Sequence, residues 1–253
     1  MSIRIIPSLL LHKGGLVKSI NFKNYNYIGD PINAVKIFNE KEVDEIAIID
    51  IDATRENRGP NFNKITEIAS EAFMPLSYGG GITKLDEVKT LMYNGIEKVI
   101  INKSAYVRPG LITEVANVFG NQSVIVSIDV KKKWLQGYKI YSDNGRKSTS
   151  LTPEEFAKQM EELGAGEILL NSIDKDGTFA GYDLEIIERV AAAITIPLIA
   201  IGGAKHVNDF KLAVKAGASA VAAGSMFVYI GESTNSILIN YPSQLELKSI
   251  NAF

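Results

Sequence analysis

The sequence predicts a single (β/α)8 barrel over residues 1–253, built as two similar half-barrels at about 1–122 and 123–241. Eight short runs rich in Ile and Val alternate with amphipathic stretches, a pattern typical of parallel strands buried between helices. The length of 253 residues fits one barrel of the usual size. An internal repeat, described below, predicts the two halves.

The elements follow one another without a linker or a low-complexity segment. The predicted strands are, in order, IRIIPSLLL, DEIAIIDID, MPLSYGG, KVIINK, SVIVSID, GEILLNSID, IPLIAIGG and AVAAGS. The predicted helices between them are PINAVKIFNEKE, FNKITEIASEA, KLDEVKTLMYNG, PGLITEVANVFG, TPEEFAKQMEELG, DLEIIERVAAAI and VNDFKLAVKAG. Several of these helices open on Asp, Asn, Thr or Pro and close on Gly, as capped helices do. A last helix is expected around residues 232–241, cut short by Pro242.

Residues of the same type recur at a constant spacing of 122 positions. The spacing relates Pro75 to Pro197, Gly80 to Gly202, Gly81 to Gly203, Gly95 to Gly217, Glu45 to Glu167, and Asp52 to Asp174. It places the first four predicted strands over the last four. We therefore expect a duplicated half-barrel, with chemistry at the repeated positions.

Charge and composition limit the partners and cofactors. With 27 Lys and Arg against 29 Asp and Glu, the formal charge of -2 gives no broad attraction for nucleic acid or for anionic membranes. The chain has no cysteine and only two histidines, which argues against thiolate and zinc sites, and we expect no metal. We also expect no cofactor. The apolar run in the start MSIRIIPSLLLHKGG is too short for a signal peptide, and charged residues lie close on both sides of it. We therefore expect a cytoplasmic protein.

Small and polar residues follow the third, fourth, seventh and eighth predicted strands: Gly80, Gly81, Asn102, Gly202, Gly203, Gly224 and Ser225. Loops at these places form the C-terminal mouth of a barrel, where Gly lets backbone N–H groups approach phosphate oxygens. Either glycine set alone is explained equally well by a tight turn. The two sets in register favour a ligand with two phosphate groups. Lys18, in the long first loop GGLVKSINF, either reaches a phosphate or is a solvated loop lysine.

Carboxylates are predicted to surround the same mouth. Asp129 ends the fifth predicted strand, Asp50 and Asp52 follow the second, and Asp174 and Asp176 follow the sixth. A carboxyl group positioned by a rigid strand end suits proton transfer. At least half of this set is expected to cap loops or helices instead.

Four charged residues stand at the starts of the first, second, fourth and sixth predicted strands: Arg4, Glu45, Lys98 and Glu167. They could meet on the barrel axis at its N-terminal face. Buried ion pairs are seldom net stabilising, so four charges gathered there would exceed what stability requires. The alternative is four unrelated surface charges.

The motifs together resemble the cyclase subunit of imidazole glycerol phosphate synthase, an enzyme of histidine biosynthesis. The resemblance covers about residues 3–232 and rests on RIIPSLLL, GLVKSINF, DIDA, YGGGI, INKSA, SIDV, SIDKDGTFAGYD, IPLIAIGGA and AAGSMF. It implies a barrel that forms a heterodimer with a glutaminase subunit docked at the N-terminal face. Ammonia then passes along the barrel axis to a bisphosphorylated substrate lying across the mouth.

The resemblance also assigns roles to residues of this chain. Asp129 matches the general acid of the family. The ammonia gate of the family falls on Arg4, Glu45, Lys98 and Glu167. Its substrate-loop and phosphate positions fall on Lys18, Gly81, Asn102, Asp176, Gly177, Gly202, Gly203, Gly224 and Ser225.

Three positions depart from the family pattern. Leu10 stands where the family has an aspartate as general base, and Lys103 and Ile201 replace small hydroxyl residues expected beside the phosphates. Leucine cannot accept a proton, and loss of one acid–base partner costs on the order of 10²–10⁴ in rate. Leu10, together with the run GDPINAVKIFNEKEVDEI and the shortened ending, also resembles paralogues in surface-polysaccharide gene clusters, which supply ammonia to a third, sugar-modifying enzyme that makes acetamidino sugars. A more distant alternative is aminoimidazole carboxamide ribotide isomerase, a duplicated barrel that needs no ammonia gate.

Overall fold

The computed structural model describes residues 3–230 and 236–250. Its strands are β1 (Arg4–His12), β2 (Gly15–Ile20), β3 (Lys23–Gly29), β4 (Ile46–Asp50), β5 (Leu76–Gly79), β6 (Lys98–Ile101), β7 (Val124–Lys133), β8 (Gly137–Ser142), β9 (Lys147–Ser148), β10 (Glu167–Ser172), β11 (Leu198–Ile201) and β12 (Ala220–Ala223). Eight of them pair in parallel in the order β1, β4, β5, β6, β7, β10, β11, β12, and β12 pairs back with β1. The predicted (β/α)8 barrel is confirmed.

Seven of the predicted helices are present within a few residues of their predicted bounds. The helices are α1 (Pro31–Glu40), α2 (Phe62–Ala69), α3 (Leu85–Tyr93), α4 (Lys103–Val107), α5 (Gly110–Phe119), α6 (Pro153–Glu162), α7 (Leu184–Ala193), α8 (Val207–Lys215) and α9 (Gln244–Ile250). Their starts follow the predicted caps: the Asp30 carboxylate accepts from the N–H groups of Ile32 and Asn33 at the start of α1. Across the described residues, no helix is long and apolar enough to cross a membrane.

The prediction of a helix around 232–241 is wrong for residues 236–241, the part of that range that the structure describes. Residues 231–235 lie outside the described ranges. Residues 236–241 run back along the preceding segment instead. Ile237 forms an antiparallel bridge with Tyr229, and the Leu238 N–H donates to the Val228 carbonyl at 3.0 Å. Pro242 follows, and the helix begins only after it, at α9.

Two hairpins extend the barrel at its C-terminal end. The segment GGLVKSINF, predicted as a loop, contains β2, which pairs antiparallel with β1 (Leu10 opposite Val17) and with β3. It is a strand because Leu16 and Val17 are buried against the barrel. The second hairpin, β7–β8–β9, carries the chain from the fifth barrel strand outward and back over the mouth.

The barrel interior has a polar layer at each end and an apolar layer between. The apolar cluster contains Ile6, Ala47, Ile100, Ile125, Leu169, Ile199, Ala220 and Ala222. Side chains two residues apart on a strand share a face. The residues two positions before Ile6, Ala47, Ile100 and Leu169 are therefore on the barrel axis, and they are Arg4, Glu45, Lys98 and Glu167. Two and four positions after Ile6, the same face carries Ser8 and Leu10.

The element bounds follow the repeat found in the sequence. Helices α3 and α8 begin at Leu85 and Val207, and strands β6 and β12 begin at Lys98 and Ala220, each 122 residues apart. This agreement between element bounds and the repeat supports a chain built as two half-barrels at about 1–122 and 123–241. The division into half-barrels stays a prediction.

Candidate functional site

A cavity of about 500 Å3 opens at the C-terminal end of the barrel. Asp129 and all the residues predicted to bind substrate or phosphate line it: Lys18, Gly80, Gly81, Asn102, Asp176, Gly177, Gly202, Gly203, Gly224 and Ser225. Of the other carboxylates predicted for the mouth, Asp50 lines the cavity, and Asp52 and Asp174 do not. Apolar side chains such as Ile49, Ile100 and Leu169 also line it and belong to, or pack against, the interior cluster. The structure thus brings both glycine sets and the predicted acid to one concave site.

The glycines at the mouth are required by the packing of neighbouring loops. Gly81 and Gly203 have backbone φ angles of +71° and +103°, which residues other than Gly rarely adopt. A Cβ on Gly81 would lie 2.5 Å from the Arg58 carbonyl oxygen, and one on Gly203 would lie 2.2 Å from that of Gly181. Tight packing alone accounts for these glycines, so phosphate binding by them remains a prediction.

Asp129 is a buried carboxyl group at the centre of this site. The Asn102 side-chain amide donates to Asp129 Oδ2 at 3.1 Å and to the Ser127 carbonyl at 3.0 Å. Burial raises the pKa of Asp129 to about 7, although hydrogen bonds from Asn102 and Asn171 oppose the rise. Near neutral pH the group is therefore divided between its protonated and ionised forms, as a proton donor requires.

This raised pKa makes a prediction about stability. The native state keeps the Asp129 proton at pH values where the unfolded chain, with a pKa of 3.8, has lost it. The free energy of unfolding should therefore fall as the pH rises from about 4 to about 7. Asp129→Asn should lose this slope and gain stability relative to the wild type over that interval. Urea unfolding at several pH values checks it; parallel pH profiles for the two proteins would contradict it.

Lys18 is a buried strand residue and not a solvated loop lysine. It lies on β2, its ammonium group donates to the Ser8 carbonyl, and a Cβ on Gly224 would lie 2.3 Å from its Nζ. Burial lowers the pKa of Lys18 to about 8, with the nearby Asp176 opposing the fall. A desolvated ammonium group facing the cavity is suited to an anionic ligand.

The other predicted carboxylates have structural partners. Asp50 lines the cavity but binds Arg58 through two hydrogen bonds of 2.8 and 3.1 Å. Asp52 does not line the cavity; it accepts a hydrogen bond from the Lys13 N–H and contacts His12 Nδ1, both at 2.8 Å. Asp174 accepts from the N–H of residue 132 at 2.9 Å. These three hold loops in place, as was expected for at least half of the set.

Asp176 joins the sixth-strand loop to the first hairpin. It accepts from the Ser19 hydroxyl at 2.9 Å, and its own carbonyl accepts from the Asn21 N–H at 2.9 Å. A Cβ on Gly177 would lie 2.0 Å from the Ser19 carbonyl oxygen. Burial raises the pKa of Asp176, although the hydrogen bond from Ser19 opposes the rise. The residue faces the cavity and also fixes the hairpin that carries Lys18.

At the opposite end, the four predicted gate residues form a ring of alternating charge. Lys98 Nζ lies 3.1 Å from Glu45 Oε2 and 2.8 Å from Glu167 Oε1. Arg4 Nη1 lies 3.5 Å from Glu45 Oε2 and 3.1 Å from Glu167 Oε1. Glu45 and Glu167 are buried, so both carboxylates depend on the two cations for their charge partners. We call Arg4, Glu45, Lys98 and Glu167 the charged ring.

Comparison with known proteins assigns the family. The model of the family described as "Histidine biosynthesis protein" matches residues 4–234. The chain belongs to this family. A protein labelled HisF in Leptospira interrogans is 47% identical over 98% of both chains. A protein labelled hisF2 in Pseudomonas aeruginosa is 48% identical over 94% of this chain and 95% of its own. The imidazole glycerol phosphate synthase subunit HisF of Streptomyces avermitilis is 41% identical over 90% of both.

Within this HisF-like barrel, the three departures from the family pattern all line the mouth cavity. Leu10 presents an apolar side chain on the same face as Ser8. Ile201 stands before the second glycine pair, and Lys103 follows Asn102. The cavity therefore lacks a carboxylate on the first strand, while it gains a cation after the fourth.

Several cavity residues escaped the sequence-based prediction. Asn171 lies beside Asp129 in the β7–β10 register, and its buried Oδ1 has no hydrogen-bond partner in the described structure. Its place at the end of the sixth predicted strand was a usable signal. Arg58, Asp143 and Asn144 also line the cavity, but they come from the loop between β4 and α2 and from the connection between β8 and β9, not from the ends of barrel strands.

Proposed function

We propose that this chain is the ammonia-accepting barrel of a glutamine amidotransferase, of the type of the imidazole glycerol phosphate synthase cyclase subunit. A glutaminase subunit binds its N-terminal face as a heterodimer, and a bisphosphorylated small molecule binds its mouth. The arrangement that carries the proposal is the charged ring at one end of the barrel axis and the cavity at the other. The names of the relatives support this type of subunit.

Exposed aromatic side chains support a docking surface at the ring end. Phe73 precedes β5 and Tyr93 ends α3, so both belong to connections at the N-terminal end of the barrel, where the charged ring lies. Their exposed fractions are 89% and 91%. Aromatic residues are enriched in protein interfaces, where they contribute much of the binding energy. A tagged copy of the chain, purified from its native cells, should therefore retain a glutaminase.

The interior supports passage of a small neutral molecule. Between the ring and the cavity lies the apolar cluster, which includes the small residues Ala47, Ala220 and Ala222. Ammonia in its neutral form crosses such surroundings at far lower cost than ammonium, because burying an unpaired charge is expensive. The ion pairs of the ring close the entrance, so we infer that the partner opens them when it delivers ammonia.

The ligand half of the proposal makes a direct prediction. Crystals soaked in inorganic phosphate should hold two anions in the cavity, one beside Gly81 and Asn102 and the other beside Gly203 and Ser225. The repeated loops and the desolvated Lys18 ammonium provide the donors and the charge. One filled position only, or anions bound only outside the mouth, would contradict the bisphosphorylated ligand.

A second candidate function is favoured by Leu10. A barrel that keeps the ring and the phosphate loops, but has leucine at the base position, would conduct ammonia without closing the imidazole ring. The nitrogen would then pass to a third, sugar-modifying enzyme, as in the polysaccharide paralogues. The isomerase alternative is less well supported, since an isomerase has no use for the charged ring.

A further inference from the structure

The connection between β8 and β9 lies across the mouth of the barrel. We call residues 143–146 the strap. The Asn144 side-chain amide donates to the Ile51 carbonyl, after the second barrel strand, at 2.9 Å. A Cβ on Gly145 would lie 3.1 Å from Ile173, after the sixth barrel strand, and 3.4 Å from Phe22 of the first hairpin. The strap follows β8, which pairs with the end of the fifth barrel strand, so these contacts with the second and sixth strands and the first hairpin place it over the cavity.

One ion pair ties the strap to the predicted phosphate loops. Lys103 Nζ lies 2.8 Å from Asp143 Oδ1, and Lys147 Nζ lies 3.2 Å from Asp143 Oδ2. Lys103 directly follows Asn102, and both line the cavity together with Asp143. The hydrogen bond from Lys103 lowers the pKa of Asp143, so the carboxylate is ionised at neutral pH.

A carboxylate and a phosphate compete for the same ammonium group. Both are oxygen anions that accept charge-assisted hydrogen bonds, and lysine is a common phosphate ligand. The side chain of Lys103 is 40% exposed, and such half-exposed pairs contribute little to stability. An incoming phosphate dianion, with more charge than the carboxylate, can therefore take the lysine at small cost.

We propose that Lys103 is the cation of the phosphate subsite at Gly81 and Asn102, that Asp143 occupies Lys103 before a ligand binds, and that the ligand's phosphate group displaces Asp143 and releases the strap. This inference rests on the proposed phosphate-binding function of the mouth. It assigns a binding role to a lysine at a position where the family resemblance led us to expect a small hydroxyl residue. It also couples ligand binding to opening of the cavity roof.

Phosphate titration of matched variants tests the subsite. Inorganic phosphate is titrated at constant ionic strength into the full chain and followed calorimetrically. Lys103→Thr should weaken one of the two sites by about tenfold, and Lys103→Arg should restore it. Asp143→Asn removes the competitor and should strengthen that site about 2- to 5-fold. Lys89→Thr and Asp86→Asn are the controls, because they break a 2.9 Å pair on α3 outside the cavity.

Trypsin provides the second measurement, since Arg146 and Lys147 place cleavage sites at the end of the strap. Phosphate should accelerate cleavage there in the wild type, while Asp143→Asn should be cleaved rapidly with or without phosphate. This inference alone would be overturned if Lys103→Thr and Asp143→Asn each filled two sites with unchanged affinities. It would also be overturned if phosphate slowed the cleavage. A wild-type chain that binds no phosphate in the mouth would overturn the proposed ligand as well.

Discussion

Replacing Leu10 with aspartate is expected to raise ammonia-dependent ring closure by the isolated chain by about 10²-fold or more. The wild-type chain should turn over the bisphosphorylated precursor of imidazole glycerol phosphate poorly, even with saturating ammonium. Leu10 lies on the inward face of β1 and lines the same cavity as Asp129. A carboxylate there would restore the proton acceptor that the family resemblance assigns to this position.

The neighbouring carboxylates are poor substitutes for that base. Asp50 is held by two hydrogen bonds from Arg58, and Asp52 is turned toward His12 and the Lys13 backbone. Using either one would require breaking contacts that hold its loop. We therefore do not expect the adjacent strand to supply the proton acceptor that the family resemblance places at the position of Leu10.

Turnover of the precursor with free ammonium measures the effect, and Leu10→Asn is the matched control. Asparagine is polar and nearly the same shape as aspartate but cannot act as the base, so it separates proton transfer from changes in packing. Both variants place a polar group beside apolar neighbours, and urea unfolding records that cost. Efficient cyclisation by the wild type, with Asp129→Asn inactive, would show that the chain does not need the missing carboxylate.

The barrel could be predicted from the sequence because its strands are buried on both faces. The runs VIV in SVIVSID and LIAI in IPLIAIGG consist of consecutive apolar residues, which distinguishes them from the alternating pattern of half-exposed strands. The axis residues could also be predicted, because the strand starts fix their position. Arg4 and Lys98 share a layer simply because each lies two residues before an inward Ile.

The hairpins and the strap could not be predicted in the same way. Beyond the barrel, β3 and β9 are largely exposed, so they carry no apolar run. The contact between Asn144 and Ile51 joins residues 93 positions apart, and nothing local in the sequence encodes it. The same holds for the Lys103–Asp143 pair. Lys18 lines the mouth cavity, where the family resemblance places it, but its burial depends on the hairpin and not on its neighbours in the chain.

Lys98→Ala is expected to lower the free energy of unfolding by about 3 kcal/mol, because it leaves buried carboxylates without one of their two cations. Glu45 is 2% exposed and Glu167 is 7% exposed, so water does not readily replace the lost ammonium group. Both would depend on Arg4 alone. Lys89→Ala is the control, since its ion pair with Asp86 is exposed and should change stability by less than about 0.5 kcal/mol.

The same variant separates a functional ring from a purely structural one. If the ring is the ammonia gate, Lys98→Ala should lose the stimulation of the partner glutaminase and the transfer of its ammonia, while phosphate binding at the mouth stays at the wild-type level in the folded protein. Lys98→Arg keeps the charge and should preserve stability better than function, because a guanidinium group cannot occupy the same small space. A variant that is destabilised by the expected amount but still couples fully to the glutaminase would leave the ring with a structural role only.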